Sequence, residues 1–132
     1  FELAFSFDLS ALAELPQVNI RTTLEYDARP HRLRGPLMID VLRMAGVSTS
    51  GPTTLTLRGI DGYAPVLTLA DIGAHDFIVA THIDGQPMAI GGLGPLWAIY
   101  EADRFPEMAR KPVNERFAGC PWGLYHIGVQ AA

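Results

Sequence analysis

The sequence predicts a strand-dominated α+β domain, one unit spanning residues 1–132, and three observations predict it. Apolar and polar residues alternate over Val18–Glu25, and β-branched residues crowd Phe77–Ile83, as half-buried or buried strands require. Helical signals are few and short: Pro36 stands before, and Gly46 just after, an apolar-periodic run from Leu37 to Ala45. Between these segments lie turn signals such as Ile60-Asp61-Gly62 and Asp84-Gly85, spaced for about seven short strands rather than for a bundle.

The elements follow in order. Phe1–Phe7 alternates Phe1, Leu3, Phe5 and Phe7 against Glu2, Ala4 and Ser6, a strand pattern. Asp8–Leu15 reads as a short helix that Asp8 caps and Pro16 stops. The strand Val18–Glu25 leads into a stretch, Tyr26–Gly35, read as a polar loop because it holds Asp27, Arg29, His31, Arg32 and Arg34. The helix Leu37–Ala45 follows, and Ser48–Pro52 is a turn-rich connection. Thr53–Gly59 and Tyr63–Leu67 are two strands about an Ile60-Asp61-Gly62 turn, and Thr68–Asp71 fits a capping box that opens one helical turn. Phe77–Ile83 is a strand running into a type I′ hairpin turn at Asp84-Gly85. Gly91, Gly92 and Gly94 approach a strand at Leu96–Tyr100. Ala102–Arg116 is a charged excursion broken by Pro106 and Pro112, and Gly123–Gln130 is the closing strand.

Composition narrows the function classes. A chain of 132 residues can bury roughly two-thirds of the surface its unfolded form exposes. Hydrophobic residues at 48% and charged ones at 18% are globular values, and ten basic against fourteen acidic side chains, net −4 with no basic run, argue against a nucleic acid. No stretch approaches the roughly 20 apolar residues of a membrane span. The single cysteine, Cys120, excludes an internal disulfide. His31, His75, His82 and His126 are scattered without metal-ligand spacing, so no metal is expected. No nucleophile elbow appears, and Gly91-Gly92-Leu93-Gly94 opens no helix, so it is turn chemistry rather than a phosphate loop.

Three blocks, in order, resemble the sulfite-oxidase-type molybdopterin-binding domain in its small stand-alone form. They are Gly35-Pro36-Leu37-Met38-Ile39-Asp40-Val41-Leu42-Arg43-Met44-Ala45-Gly46-Val47, then Asp61-Gly62-Tyr63 with Thr68–Ile72, then Ala80–Tyr100, which ends in Gly94-Pro95-Leu96-Trp97-Ala98-Ile99-Tyr100. With Trp122 they span most of the chain. The resemblance implies a pterin pocket. It also locates departures. Enzymes of the family hold molybdenum through a Cys after the strand matched by Val18–Glu25, a place where this chain has Tyr26, whereas a soft thiolate is what that metal bond needs. The family's His and Arg near the Gly-Pro turn match Gly92 and Trp97.

The resemblance therefore implies a metal-free pterin-binding protein, exported to the periplasm with a signal sequence removed ahead of Phe1. Such domains work beside membrane signalling proteins, cyclic-di-GMP synthases and phosphodiesterases among them. A pterin is a flat polar heterocycle that calls for aromatic stacking and for a carboxylate on its amino-pyrimidine edge. Trp97 and Trp122 are the candidate stacking faces, Asp61 the carboxylate, and Tyr26 and Tyr63 the rim; Arg29, His31 or Arg116 would meet the oxo group or side-chain hydroxyls. The same residues have plainer readings. Trp97 and Trp122 are equally core residues, Asp61 an Asp-Gly turn residue, Tyr63 a strand residue, and the Arg29–Arg34 cluster a solvated loop. Two other functions stay open: a molybdopterin-dependent oxidoreductase, and an interaction module that keeps the fold without a ligand.

Overall fold

The computed structural model describes residues 9–24, 28–48, 52–88 and 95–131, and these form a small mixed α+β domain dominated by strands with few helices. The expected strand Phe1–Phe7, Tyr26, and the glycines Gly91, Gly92 and Gly94 lie outside the described residues. In chain order the elements are α1 (Leu9–Glu14), β1 (Gln17–Thr23), β2 (Pro30–Pro36), α2 (Met38–Met44), β3 (Thr53–Gly59), β4 (Val66–Thr68) and α3 (Leu69–Ala74). There follow β5 (Ile78–Ala80), β6 (His82–Ile83), β7 (Gln86–Pro87), β8 (Trp97–Ile99), a 3-10 turn at Ala102–Arg104, α4 (Pro106–Ala109), α5 (Val113–Arg116) and β9 (Leu124–Ala131).

The described strands form three sheets, ordered β1-β2-β6-β7, β4-β3-β9 and β5-β8, with all neighbouring strands antiparallel. One hydrophobic core joins them. Ile20 and Leu33 reach it from the first sheet, Leu55 and Leu57 from the second, Ile78, Val79 and Ile99 from the third, and Met38 and Ile72 from helices. Strand β3 shows why its sequence alternates: Thr53, Leu55, Leu57 and Gly59 are buried, and Thr54, Thr56 and Arg58 face the other way.

Tyr26–Gly35 is not a loop throughout. Residues Pro30–Pro36 are a strand, fully paired with β1 from Gln17↔Pro36 to Thr23↔Pro30. Leu33 and Gly35 are buried and Arg32 and Arg34 exposed, so the alternation is present but carried by one large apolar side chain, and three arginines mask it. Gly35 is inward-facing because nothing larger fits: a Cβ there would lie 2.0 Å from the Val79 carbonyl oxygen of β5. Pro36 accordingly closes β2 rather than opening the helix, which begins at Met38.

Two further expectations need correction. Phe77–Ile83 is two short strands in different sheets, β5 and β6, separated at Thr81, whose N–H donates to the Arg34 carbonyl. A continuous β-branched run does not reveal such a change of partner. Tyr63–Leu67 becomes a strand only from Val66, because Gly62 at φ +93° and Tyr63 are taken up by the turn after β3. Three other signals match, while the Asp8 cap lies outside the described residues: Thr68 caps α3 by accepting from Asp71 N–H at 3.1 Å, Gly46 (φ +84°) follows α2, and Asp84 and Gly85, both at positive φ, turn β6 into β7.

Candidate functional site

The turn between β3 and β4 packs against the segment that precedes β9. Gly62 N–H closes the turn onto the Gly59 carbonyl at 3.0 Å, and Asp61 Oδ1 accepts from Tyr63 N–H at 3.0 Å. Two links tie this turn to the other segment: Ile60 N–H donates to the Gly123 carbonyl at 2.9 Å, and the Tyr63 hydroxyl donates to the Ala118 carbonyl. Gly59 and Gly123 are points of close approach: a Cβ at Gly59 would lie 2.8 Å from the Trp122 carbonyl and 3.1 Å from Asp61 Oδ1, and one at Gly123 would lie 2.6 Å from Ile60 Cγ1. Asp61, Tyr63 and Trp122, three of the nominated residues, therefore share one corner. Ile60, Tyr63 and Trp122 are exposed there.

Trp97 lies beneath that corner and is sealed, at 2% exposure against 38% for Trp122. It sits on β8, and its Nε1–H donates to the buried Cys120 carbonyl at 3.0 Å. The two indoles meet edge to face, centroids 5.8 Å apart and planes at 67°, and their backbones form an isolated antiparallel bridge. No flat ring fits between them, so a ligand at this corner has one indole face to stack on, that of Trp122.

The other nominated side chains are placed elsewhere. His31, on β2, meets Asp84 through Nδ1 at 2.6 Å, and Asp84 also accepts from Arg32 N–H at 3.0 Å. The His31 bond and then the Arg32 N–H hold the Asp84 carboxyl below its ordinary pKa. This pair locks the β6–β7 hairpin onto β2. Arg29 lies just before β2, and its carbonyl accepts from Leu24 N–H.

Arg116 spends its guanidinium on the Ala102–Arg116 excursion. Nε donates to the Lys111 carbonyl, Nη2 to the Ala109 carbonyl, both at 2.8 Å, and Nη1 to Asp103 at 3.1 Å. Asp103 in turn accepts from Thr23 N–H and hydroxyl, and Glu101 from Arg21 N–H, so this excursion covers the outer edge of β1. Asp103 and Glu101 escaped the sequence reading; acidic residues in a charged loop give no signal that they cap a strand.

Cys120 offers no replacement for a metal-binding thiolate, because burial drives its thiol pKa far above the ordinary value. Among the described residues no three His, Cys, Asp or Glu side chains gather as a metal site, and no helix is long and apolar enough to cross a membrane. Compared with known proteins, the chain matches no protein-family model and no curated relative.

Proposed function

We propose that this chain is a non-catalytic pterin-binding domain of the sulfite-oxidase type, with the ligand lying on the outer face of Trp122. The observation that carries the reading is the corner itself, where two segments that meet at Gly59 bring an exposed indole, an exposed phenol and a carboxylate. Trp122 supplies the stacking face, with Trp97 packed against it at 67° between the ring planes. Asp61 has a second carboxylate oxygen besides the one in its turn bond, suited to the amino-pyrimidine N–H edge. Export to the periplasm, and reporting to a membrane cyclic-di-GMP synthase or phosphodiesterase, complete the proposal on the strength of the sequence resemblance.

One observation favours the ligand-free interaction module instead: Trp97, the centre of the most telling sequence block, is a core residue with its N–H already bonded. Titration with oxidised and reduced pterins, followed by ligand fluorescence, separates the two. Binding tighter than about 1 mM that Trp122→Ala weakens by roughly 5- to 150-fold, the equivalent of about 1–3 kcal/mol of ring stacking, supports the pterin reading. No binding in that range leaves the interaction module. A stoichiometric molybdenum content in protein from a cofactor-making host would favour the oxidoreductase.

A further inference from the structure

The first sheet gathers positive charge on its outer face. Arg21 stands directly across from Arg32 in the β1–β2 ladder, Asn19 across from Arg34, and Arg34 across from His82 on β6. Ladder partners share a face, as do residues two apart on a strand, so Arg21, Arg32 and Arg34 leave the sheet on one side. All three are exposed. The N–H groups of Arg21 and Arg32 bond away from each other, to Glu101 and to Asp84. Theirs is therefore a non-hydrogen-bonded pair, the closer kind, with Cα atoms about 4.5 Å apart. Arg34 follows about 7 Å along β2.

The cluster is not neutralised from its surroundings. Arg43, Arg104 and Arg116 each hold a carboxylate, whereas among the described residues none of these three guanidinium groups has an ion pair. Carboxylates do reach the two strands. Glu101 and Asp84 accept from the backbone of Arg21 and Arg32, yet their side-chain partners are Arg104 at 3.8 Å and His31 at 2.6 Å. Like charges directly opposite one another weaken a sheet. The chain carries fourteen acidic against ten basic side chains and no basic run, so general composition does not account for three bare arginines on one face.

We propose that this face binds clustered phosphate groups, as in a pyrophosphate or triphosphate, bridging Arg21, Arg32 and Arg34. A guanidinium is a planar fork of donors that takes phosphate oxygens two at a time. Three forks within about 7 Å match linked phosphoryl groups better than a lone carboxylate. Asn19 and His82, the ladder partners of Arg34, are polar as well. The patch thus lacks the large apolar anchor around which a protein interface is built. It shares no residue with the Trp122 corner and is independent of pterin binding.

Calorimetric titration at low ionic strength with inorganic phosphate, pyrophosphate and tripolyphosphate tests this. Affinity should rise along that series to a Kd below about 1 mM and weaken with added salt. Arg32→Gln, in the middle of the cluster, should weaken tripolyphosphate binding roughly 10- to 100-fold. Without ligand it should melt no lower than the parent, since it relieves the repulsion with Arg21. Should it fail to fold, Arg34→Gln carries the same expectation. Arg58→Gln removes the same charge from the second sheet and should leave the affinity unchanged. Phosphatidylcholine vesicles carrying a polyphosphoinositide present the same groups on a lipid; sedimentation with them in place of tripolyphosphate binding keeps the site and assigns its phosphates to a membrane. No binding to any of these probes tighter than about 1 mM overturns the proposal, as does citrate binding as well as tripolyphosphate or an equal loss in Arg58→Gln and Arg32→Gln.

Discussion

Replacing Trp97 with Phe should destabilise the protein far more than the same change at Trp122. At Trp97 the substitution removes the N–H that satisfies the buried Cys120 carbonyl, which costs about 1–3 kcal/mol. It also empties the space of the lost part of the indole in a site that is 2% exposed, roughly 1 kcal/mol more at ~24 cal/mol per Å³. The sum is about 2–4 kcal/mol. For a chain of 132 residues, each kcal/mol moves Tm by roughly 3–4 °C, so the expected fall is about 7–15 °C. Trp122→Phe keeps an aromatic ring against Trp97 and alters a partly exposed site, for an expected change under about 1 kcal/mol. Calorimetry on both variants at one pH reads the difference. A Trp97→Phe protein melting within about 3 °C of the parent refutes the buried hydrogen bond, and a larger loss at Trp122 than at Trp97 reverses the division between core and surface indole.

Gly35→Ala forces a Cβ toward the Val79 carbonyl, a backbone atom that cannot swing aside, and should lower stability by about 3 kcal/mol or more in urea unfolding. Arg116→Met removes three donated bonds and should cost about 2 kcal/mol and speed proteolysis within residues 102–116; an effect on pterin affinity with unchanged stability would return Arg116 to the ligand. Asp84 has its folded pKa depressed below 3.8, chiefly by the His31 bond, so its stabilisation is present above that value and is lost as pH falls through the folded pKa. Asp84→Asn should therefore flatten the acid limb of a Tm-against-pH curve, and an unchanged limb contradicts the assignment. His82 acts near neutrality: burial, then Arg34, lowers its pKa below 6.5, so the unfolded chain takes the proton first and stability drops as pH falls through about 6.5. His82→Gln should remove that part of the slope.

Much of the fold was legible because local chemistry and tertiary role agree. Thr68 caps a helix, Asp84-Gly85 turns a hairpin, and β3 alternates because one face is core. The failures occur where the deciding partner is remote in sequence. Whether 30–36 is loop or strand depends on β1 and on the Val79 backbone above Gly35, and the break at Thr81 depends on the Arg34 carbonyl. The candidate site divides in the same way. Asp61 and Tyr63 are joined by a two-residue turn bond that sequence can anticipate, whereas His31–Asp84 spans 53 residues and Tyr63–Ala118 spans 55.

The two tryptophans make the point most sharply, since sequence reading left each of them open between pocket and core. What separates them is the bridge between their backbones. Trp97 sits in β8, where its neighbours on both sides supply hydrogen bonds and its ring is driven inward. Trp122 comes two residues after Cys120, just before Gly123 turns at φ +60° into β9, so its ring is left partly exposed and packed against Trp97. Gly123 leaves room for Ile60, and Gly59 leaves room for the Trp122 carbonyl and Asp61. Glycines at both crossing points thus bring the carboxylate, the phenol and the outer indole to one corner, while the inner indole anchors the platform. On the proposed reading Trp97 would serve a ligand only through Trp122: truncating it should loosen Trp122 as well as the core, whereas truncating Trp122 should leave the core intact.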